Sequence, residues 1–260
     1  MLQCPKCKLP IKKQNHQYEC ENGHSYDIAK RGYVNLVLAN HKQTGDDKGM
    51  VRARTEFLAH GYYHPLRNQL LSCIKELHPD IIVDAGCGQG YYTNAIKDEI
   101  NCEVYGFDLS KFAIDEACKA HNGTIYSVAN IFHLPIMDTS CDVMLSVFAP
   151  FDEVEALRVL QQNGYVIKVG PGPKHLYELK QALYEQVYEN EAAIELSEMK
   201  LVKKFIVKDF IEVQGKAHIN ALFQMTPYYW KSPKETSERV KNMESLGTTI
   251  EFEIQIYQKG

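Results

Sequence analysis

Between Ile81 and Lys97 the chain reads Ile-Ile-Val-Asp84, then Ala85-Gly-Cys-Gly-Gln-Gly90, then Tyr-Tyr-Thr-Asn-Ala-Ile-Lys97. The first four residues have the length and apolar character of a buried strand ending in an acid. Three glycines spaced two apart then make a tight turn, and the segment after them reads as a helix. Strand, glycine-rich turn and helix in that order open a nucleotide-type α/β domain. The glycines let the backbone approach a ligand, and the helix N-terminus offers it free N–H groups. A dinucleotide fingerprint is excluded, because Tyr91 stands where G-x-G-x-x-G needs its third glycine.

The flanking segments fit the same domain. Glu103–Asp108 reads as a second strand ending in an acid 20 residues after Gly88, where a carboxylate can accept from both ribose hydroxyls. A helix over Lys111–His121 and a strand over Thr124–Val128 follow. Next come a strand over Cys141–Phe148, a helix over Val154–Leu160 and a strand over Gly164–Gly170. Two late strands, Val202–Val207 and Thr249–Tyr257, flank a helical stretch, and the second alternates with Ile250, Phe252, Ile254 and Ile256 on one face. Upstream, Leu66, Leu70, Ile74 and Leu77 recur at helical spacing. A helix from Gly49 to about His60 puts Met50, Ala53 and Phe57 on one face. Taken alone, Asp84 reads as a helix cap and Asp108 as a strand end; in register with alternating strands and helices, they read as a cofactor site.

The first 24 residues carry a different signal. Cys4-Pro-Lys-Cys7 is followed, after twelve residues, by Cys20-Glu-Asn-Gly-His24. Cysteines at i and i+3 turn both sulfurs onto one metal, and Cys20 with His24 supplies the second pair. Three thiolates and an imidazole close a tetrahedron and leave no open position, the pattern of structural zinc. His16 competes for the fourth place but sits on the connecting hairpin. Leu9–Ile11 and His16–Cys20 read as short strands of a zinc ribbon, too small to fold without the metal. A polar stretch from Ala39 to Lys48 reads as a linker, which divides the chain into residues 1–36 for zinc, 37–64 for a linker and connecting helix, and 65–260 for the cofactor domain.

Composition narrows the setting. No run approaches the roughly 20 apolar residues of a membrane-spanning helix. The start, MLQCPKCKLP, lacks the apolar core of a signal peptide. Five of the eight cysteines are scattered, which argues against a disulfide framework and for a cytoplasmic protein. Residues 1–50 carry a net +3 against −7 for the remainder, so the head is the part suited to an anionic partner.

The arrangement Asp84-x-Gly86-x-Gly88-x-Gly90 resembles motif I of class I S-adenosylmethionine-dependent methyltransferases, whose turn passes under the methionine part of the cofactor. Ala129-Asn-Ile-Phe-His-Leu-Pro135 resembles the segment in which an acid usually binds the adenine amino group; Asn130 occupies that position here. The expected fold is therefore α/β, a Rossmann-like class I methyltransferase sheet with a small N-terminal zinc ribbon.

Head and body together resemble the bacterial 23S rRNA (guanine-N1)-methyltransferases over nearly the whole chain. The marks are the two metal pairs, Tyr26-Asp-x-Ala-Lys30-x-Gly32-Tyr33-Val-Asn-Leu36, Gly45-Asp46, Met50, Ala53-Arg54 and Phe57-Leu58-x-x-Gly61-Tyr-Tyr63-x-Pro65-Leu66. They continue through the glycine turn, Ala149-Pro150, Pro171-Gly-Pro-x-His175-Leu176 and Gln224-Met-Thr-Pro227. The resemblance implies methyl transfer from S-adenosylmethionine to N1 of a guanine in a 23S rRNA hairpin loop. It also implies a structural zinc domain that helps to hold the RNA, and a homodimer. Tyr63 and His175 are implied to join Gly88 and Gln89 around the cofactor, Gln89 replacing a frequent Glu. No catalytic base is assigned: Asp152 and Glu153 are nearest to the expected rim, and a capping role suits Asp152 better. Thr226–Trp230 gathers three aromatics on which a flipped base can stack, and Lys6, Lys8, Lys12, Lys13, Lys30 and Arg31 are placed to follow phosphates. Two other functions fit the residues less well. One is methylation of a small molecule or protein, which leaves the basic head idle; the other is a zinc-stapled RNA-binding module with a vestigial cofactor fold.

Overall fold

The computed structural model describes residues 1–38 and 45–260, so most of the expected linker, Ala39 to Thr44, lies outside the described residues. The head forms three antiparallel strands, β1 (Ile11–Gln14), β2 (Gln17–Cys20) and β3 (Ser25–Asp27). The first begins at Ile11 rather than Leu9, because Pro10 makes only an isolated bridge to Gln3. A two-residue strand, β4 (Val34–Asn35), then leaves the head and pairs with the edge of the main sheet.

The body runs through α1 (Lys48–Ala59), α2 (His64–Leu77), β5 (Ile81–Ala85), α3 (Tyr91–Glu99), β6 (Glu103–Asp108) and α4 (Lys111–Ala117). It continues with β7 (Ile125–Val128), β8 (Cys141–Val147), α5 (Glu153–Val159), β9 (Leu160–Pro171) and α6 (Tyr177–Leu183). The last elements are β10 (Lys200–Gln214), α7 (Lys216–Gln224), α8 (Tyr228–Lys231), α9 (Lys234–Lys241) and β11 (Ser245–Gln258). The expected strands and helices are present, with ends moved by a few residues. β10 is far longer than Val202–Val207, held over its whole length by β11, and the chain enters β9 straight from α5.

One eight-stranded sheet carries the order β10-β11-β9-β8-β5-β6-β7-β4. Strands β4 to β9 are parallel to their neighbours, while β11 pairs antiparallel to both β9 and β10. The chain winds outward from β5 in both directions, so the C-terminal ends of β5, β6 and β8 face a crevice where helices cannot close over the strands.

Side chains of successive strand residues alternate between two cores. On one face, Ile82, Val143, Leu145, Ile167, Ile254 and Phe252 pack under helices through Phe57, Leu66, Leu70, Ile74, Leu179 and Phe223. On the other, Val83, Phe107, Met144 and Val166 meet α5 and the zinc ribbon, whose Leu2, Cys4, Ile11 and Cys20 share a cluster with Leu134 and Ile136. Gln3 N donates to Pro135 O at 2.9 Å and ties the head to the body. The ribbon thus covers sheet surface that a helix covers in many α/β proteins. Among the described residues no helix is long and apolar enough to cross a membrane.

Candidate active site and metal centre

The head brings its four expected ligands together. The Sγ atoms of Cys4, Cys7 and Cys20 and a ring nitrogen of His24 all lie within 4.8 Å of one another. Cys7 Sγ is 3.6 Å from Cys20 Sγ, and His24 Nδ1 stands 3.4 and 3.5 Å from the sulfurs of Cys4 and Cys20. Separations of this size are the edges of a tetrahedron with metal–ligand bonds of about 2.0–2.3 Å. His16 is not part of the cluster. Burial raises the Cys4 thiol, but hydrogen bonds from the Tyr26 hydroxyl at 3.1 Å and from the backbone of Cys7 and Lys6 outweigh it and bring the thiol to about 6. A thiolate is the ligand form. The donor set fits zinc.

At the C-terminal ends of β5, β6 and β8 lies a cavity of about 810 Å³. Of the residues expected around a cofactor, Tyr63, Asp84, Gly86, Gly88, Gln89, Asp108 and His175 all line it. Gly86 has φ +86, and a Cβ there would fall 2.4 Å from Ala149 Cβ, so the turn can form only around glycine. The turn is clamped to the next strand: Gly88 N donates to Asp108 Oδ2 at 3.0 Å, while Ser110 N donates to Asp108 Oδ1 at 2.7 Å. Asp108 is held with both oxygens facing fixed donors, and each retains lone pairs for a ligand.

Asp84 is 2 % exposed. Its Oδ2 accepts from Thr93 Oγ1 at 2.6 Å, and its Oδ1 is buried with no partner. Burial pushes its carboxyl up to about 7, the Asp108 charge adding to the rise and the Thr93 hydroxyl opposing it. An orphaned carboxylate oxygen beside a glycine turn suits a cationic ligand group, and that is the observation on which S-adenosylmethionine, with its ammonium and sulfonium, fits this cavity.

Tyr63 and His175 meet at the cavity floor, Tyr63 Oη 3.2 Å from His175 Nε2. Asn130 stands apart: Ile131 and Phe132 line the cavity, whereas Asn130 does not, and its Oδ1 accepts from Phe132 N at 3.0 Å in a local turn. Asp152 caps α5, accepting from Val154 N and Glu155 N, and Glu153 accepts from Ser197 N and Glu198 N; neither reaches the cavity.

Two further groups complete the walls. Met50, Arg54 and Leu58 form one stripe of α1 facing the cavity, while Ala53 and Phe57 enter the core beside it. The helix lead is pinned across the rim: Ser110 Oγ donates to Asp46 O at 2.6 Å, and a Cβ on Gly45 would fall 2.5 Å from Ser110 N. Aromatic side chains also line it, Phe132, Phe148, Tyr228 and Trp230, the last 67 % exposed. Of the expected Thr226–Trp230 segment only Tyr229 stays out of the cavity. Phe148 was not visible as a site residue; it holds φ +53, rare for a bulky residue, with its N–H donating to Val169 O.

Comparison with known proteins agrees with this anatomy. Residues 2–44 match the domain described as "RlmA, N-terminal", and residues 82–170 match "Methyltransferase domain". The "Putative 23S rRNA (guanine-N(1)-)-methyltransferase YxjB" of Bacillus subtilis (strain 168) is 32% identical over all of this chain and 97% of its own. The "23S rRNA (guanine(748)-N(1))-methyltransferase" of Streptomyces fradiae is 36% identical over 70% of this chain and 67% of its own. A protein of Micromonospora griseorubida, also a "Putative 23S rRNA (guanine-N(1)-)-methyltransferase", is 34% identical over 68% of each. The fold is that of a class I methyltransferase behind a zinc ribbon, its cofactors are S-adenosylmethionine and structural zinc, and the chain belongs to the 23S rRNA (guanine-N1)-methyltransferase family.

Proposed function

We propose that this protein is a cytoplasmic enzyme that transfers a methyl group from S-adenosylmethionine to N1 of a guanine in a hairpin loop of 23S rRNA, with Cys4, Cys7, Cys20 and His24 holding zinc. The observation that carries the reading is one cavity lined both by Asp84, Gly86, Gly88 and Asp108 and by Phe148, Tyr228 and Trp230. Its volume is near the upper end of ligand sites, about 300–1,000 Å³, which leaves room for a cofactor and one extruded base.

When bound, S-adenosylmethionine supplies an electrophilic methyl group that needs only an aligned nucleophile. The residues of this chain then have separate tasks. Asp84 and the glycine turn take the amino-acid end, Gln89 and Tyr63 border it, and Asp108 takes the ribose. For Asn130 to receive the adenine amino group, its Oδ1 must share or release Phe132 N. N1 lies on the Watson–Crick edge, so the guanine must leave its stack before it enters. The aromatic rim offers the extruded base new stacking partners, and a loop lowers the cost of extrusion. Alignment and the few fixed polar groups of a largely apolar pocket are the available sources of acceleration.

The exposed Lys6, Lys8, Lys12, Lys13 and Lys30 form no ion pair among the described residues, which suits a head that tracks phosphates. A homodimer and the absence of membrane contact belong to the same reading. Methylation of a small molecule or protein remains the principal competitor. The test is transfer of labelled methyl from S-adenosylmethionine to unmodified 23S rRNA, with and without zinc. Formation of 1-methylguanosine that falls when zinc is removed is expected; equal labelling of a small acceptor by zinc-free protein would contradict the reading.

A further inference from the structure

Charge in the cavity is lopsided. Among the described residues that line it, Asp46, Asp84 and Asp108 are acids and Arg54 is the sole lysine or arginine. The other basic group, His175, is 6 % exposed and kept neutral by burial. Arg54 projects from α1 on the same stripe as Met50 and Leu58, and its Nη1 lies 3.9 Å from the place a Cβ on Gly88 would occupy. Its side chain is 25 % exposed and ion-paired through Nη1 to Asp46 Oδ2. A guanidinium carries five N–H donors in a planar fork, and the structure engages one of them with Asp46.

The cofactor assigned above brings two cationic groups and one anionic group, the carboxylate of its methionine part. Asp84, with its free Oδ1, suits the cations and repels the anion. A carboxylate entering a cavity with three acids needs a cation to offset both the repulsion and its own desolvation. We infer that Arg54 binds the carboxylate of the cofactor's methionine part, and that Asp46 holds the guanidinium in place for it. Two observations on the helix lead support this. Ser110 Oγ fixes the Asp46 carbonyl, and Gly45 packs with no room for a side chain against Ser110 N, so the Asp46–Arg54 pair is tied to the same turn that presents Asp108. The N-terminal helix then becomes part of the cofactor site and selects ligands that carry an amino-acid end.

The inference rests on the cofactor reading, and its test separates the two. Calorimetry compares S-adenosylhomocysteine with its decarboxylated counterpart, 5'-S-(3-aminopropyl)-5'-thioadenosine, on zinc-loaded full-length protein. Wild type is expected to prefer the carboxylated ligand roughly ten- to a hundred-fold, the range of one or two charge-assisted hydrogen bonds. Arg54→Gln should reduce that preference to within about threefold by weakening the carboxylated ligand alone, and Arg54→Lys should retain an intermediate preference because it keeps the charge and loses the fork. Thermal melts of both variants identify any general loss of folding, and Arg54→Lys keeps the comparison available if Arg54→Gln unfolds. An unchanged preference in Arg54→Gln, or equal weakening of both ligands, overturns the role of Arg54. Wild type that binds neither ligand overturns the cofactor reading itself.

Discussion

Tyr63 and His175, 112 residues apart in sequence, share a hydrogen bond of 3.2 Å whose direction is set by a third group. Glu251 N donates to His175 Nδ1 at 3.2 Å, so Nδ1 is the acceptor and the neutral ring carries its proton on Nε2. Nε2–H therefore donates to Tyr63 Oη, and the Tyr63 O–H is released to donate into the cavity. Burial holds the Tyr63 phenol protonated, well above its ordinary range.

Tyr63→Phe removes both the acceptor for His175 and the cavity-facing donor. It should destabilise the protein by about 1–3 kcal/mol, the cost of leaving one buried donor unpaired, and weaken S-adenosylhomocysteine by about tenfold, one neutral hydrogen bond. Chemical denaturation and calorimetry read the two effects separately.

Two buried groups give opposite pH signatures. The Asp84 value, raised from 3.8 to about 7, means that its folded-state proton is bound more tightly than in the unfolded chain. Its contribution to stability is complete below about pH 4 and is lost as pH rises through 7. His175 is lowered from 6.5 to about 3, by burial first and by the Lys180 charge second. Its contribution is complete above pH 6.5 and is lost as pH falls toward 3. Each is worth on the order of 4 kcal/mol over its full range, and in the wild type they oppose each other between pH 4 and 6.5. In urea denaturation of cofactor-free protein, Asp84→Asn should make stability fall more steeply with acid, and His175→Gln less steeply. Parallel curves for all three proteins would contradict the assignment.

Gly86→Ala places a methyl group against Ala149 Cβ and a side chain at φ +86. The backbone penalty alone is about 1–2 kcal/mol. Cofactor binding should be lost while the melt shows a folded protein. Adding Ala149→Gly relieves the contact but not the dihedral, so recovery should be incomplete.

Zinc chelation should unfold the ribbon and expose Leu134 and Ile136, which it covers. Binding of S-adenosylhomocysteine should survive, since no metal ligand lines the cavity, while affinity for rRNA drops and its salt dependence becomes shallower. Parallel cofactor and RNA titrations on metal-free protein check both.

The parts legible in the sequence are those written in short-range pattern. Asp84 to Gly90 and Asp108 announce themselves through strand length, glycine spacing and a fixed interval, and the structure joins Gly88 to Asp108 at that interval. The metal pairs are legible for the same reason. What depends on distant partners is not. β10 is legible only as Val202–Val207, because its exposed face also carries apolar Val202, Ile206 and Phe210 and blurs the alternation; its full length is imposed by pairing along β11, with a bulge between Leu201 and Lys203. β4 is a strand because β7 offers it an edge. Phe148 has no local sign of its positive φ, and the Asp46–Arg54 pair enters the cavity only because α1 folds back over the turn after β6.

The most direct measurement is nucleoside analysis of 23S rRNA from cells lacking this gene, complemented with wild type or Gly86→Ala. The account predicts loss of 1-methylguanosine from 23S rRNA in the deletion strain, full return with wild type and no return with the variant. Unchanged 1-methylguanosine in the deletion strain, with another acceptor methylated in its place, would contradict it.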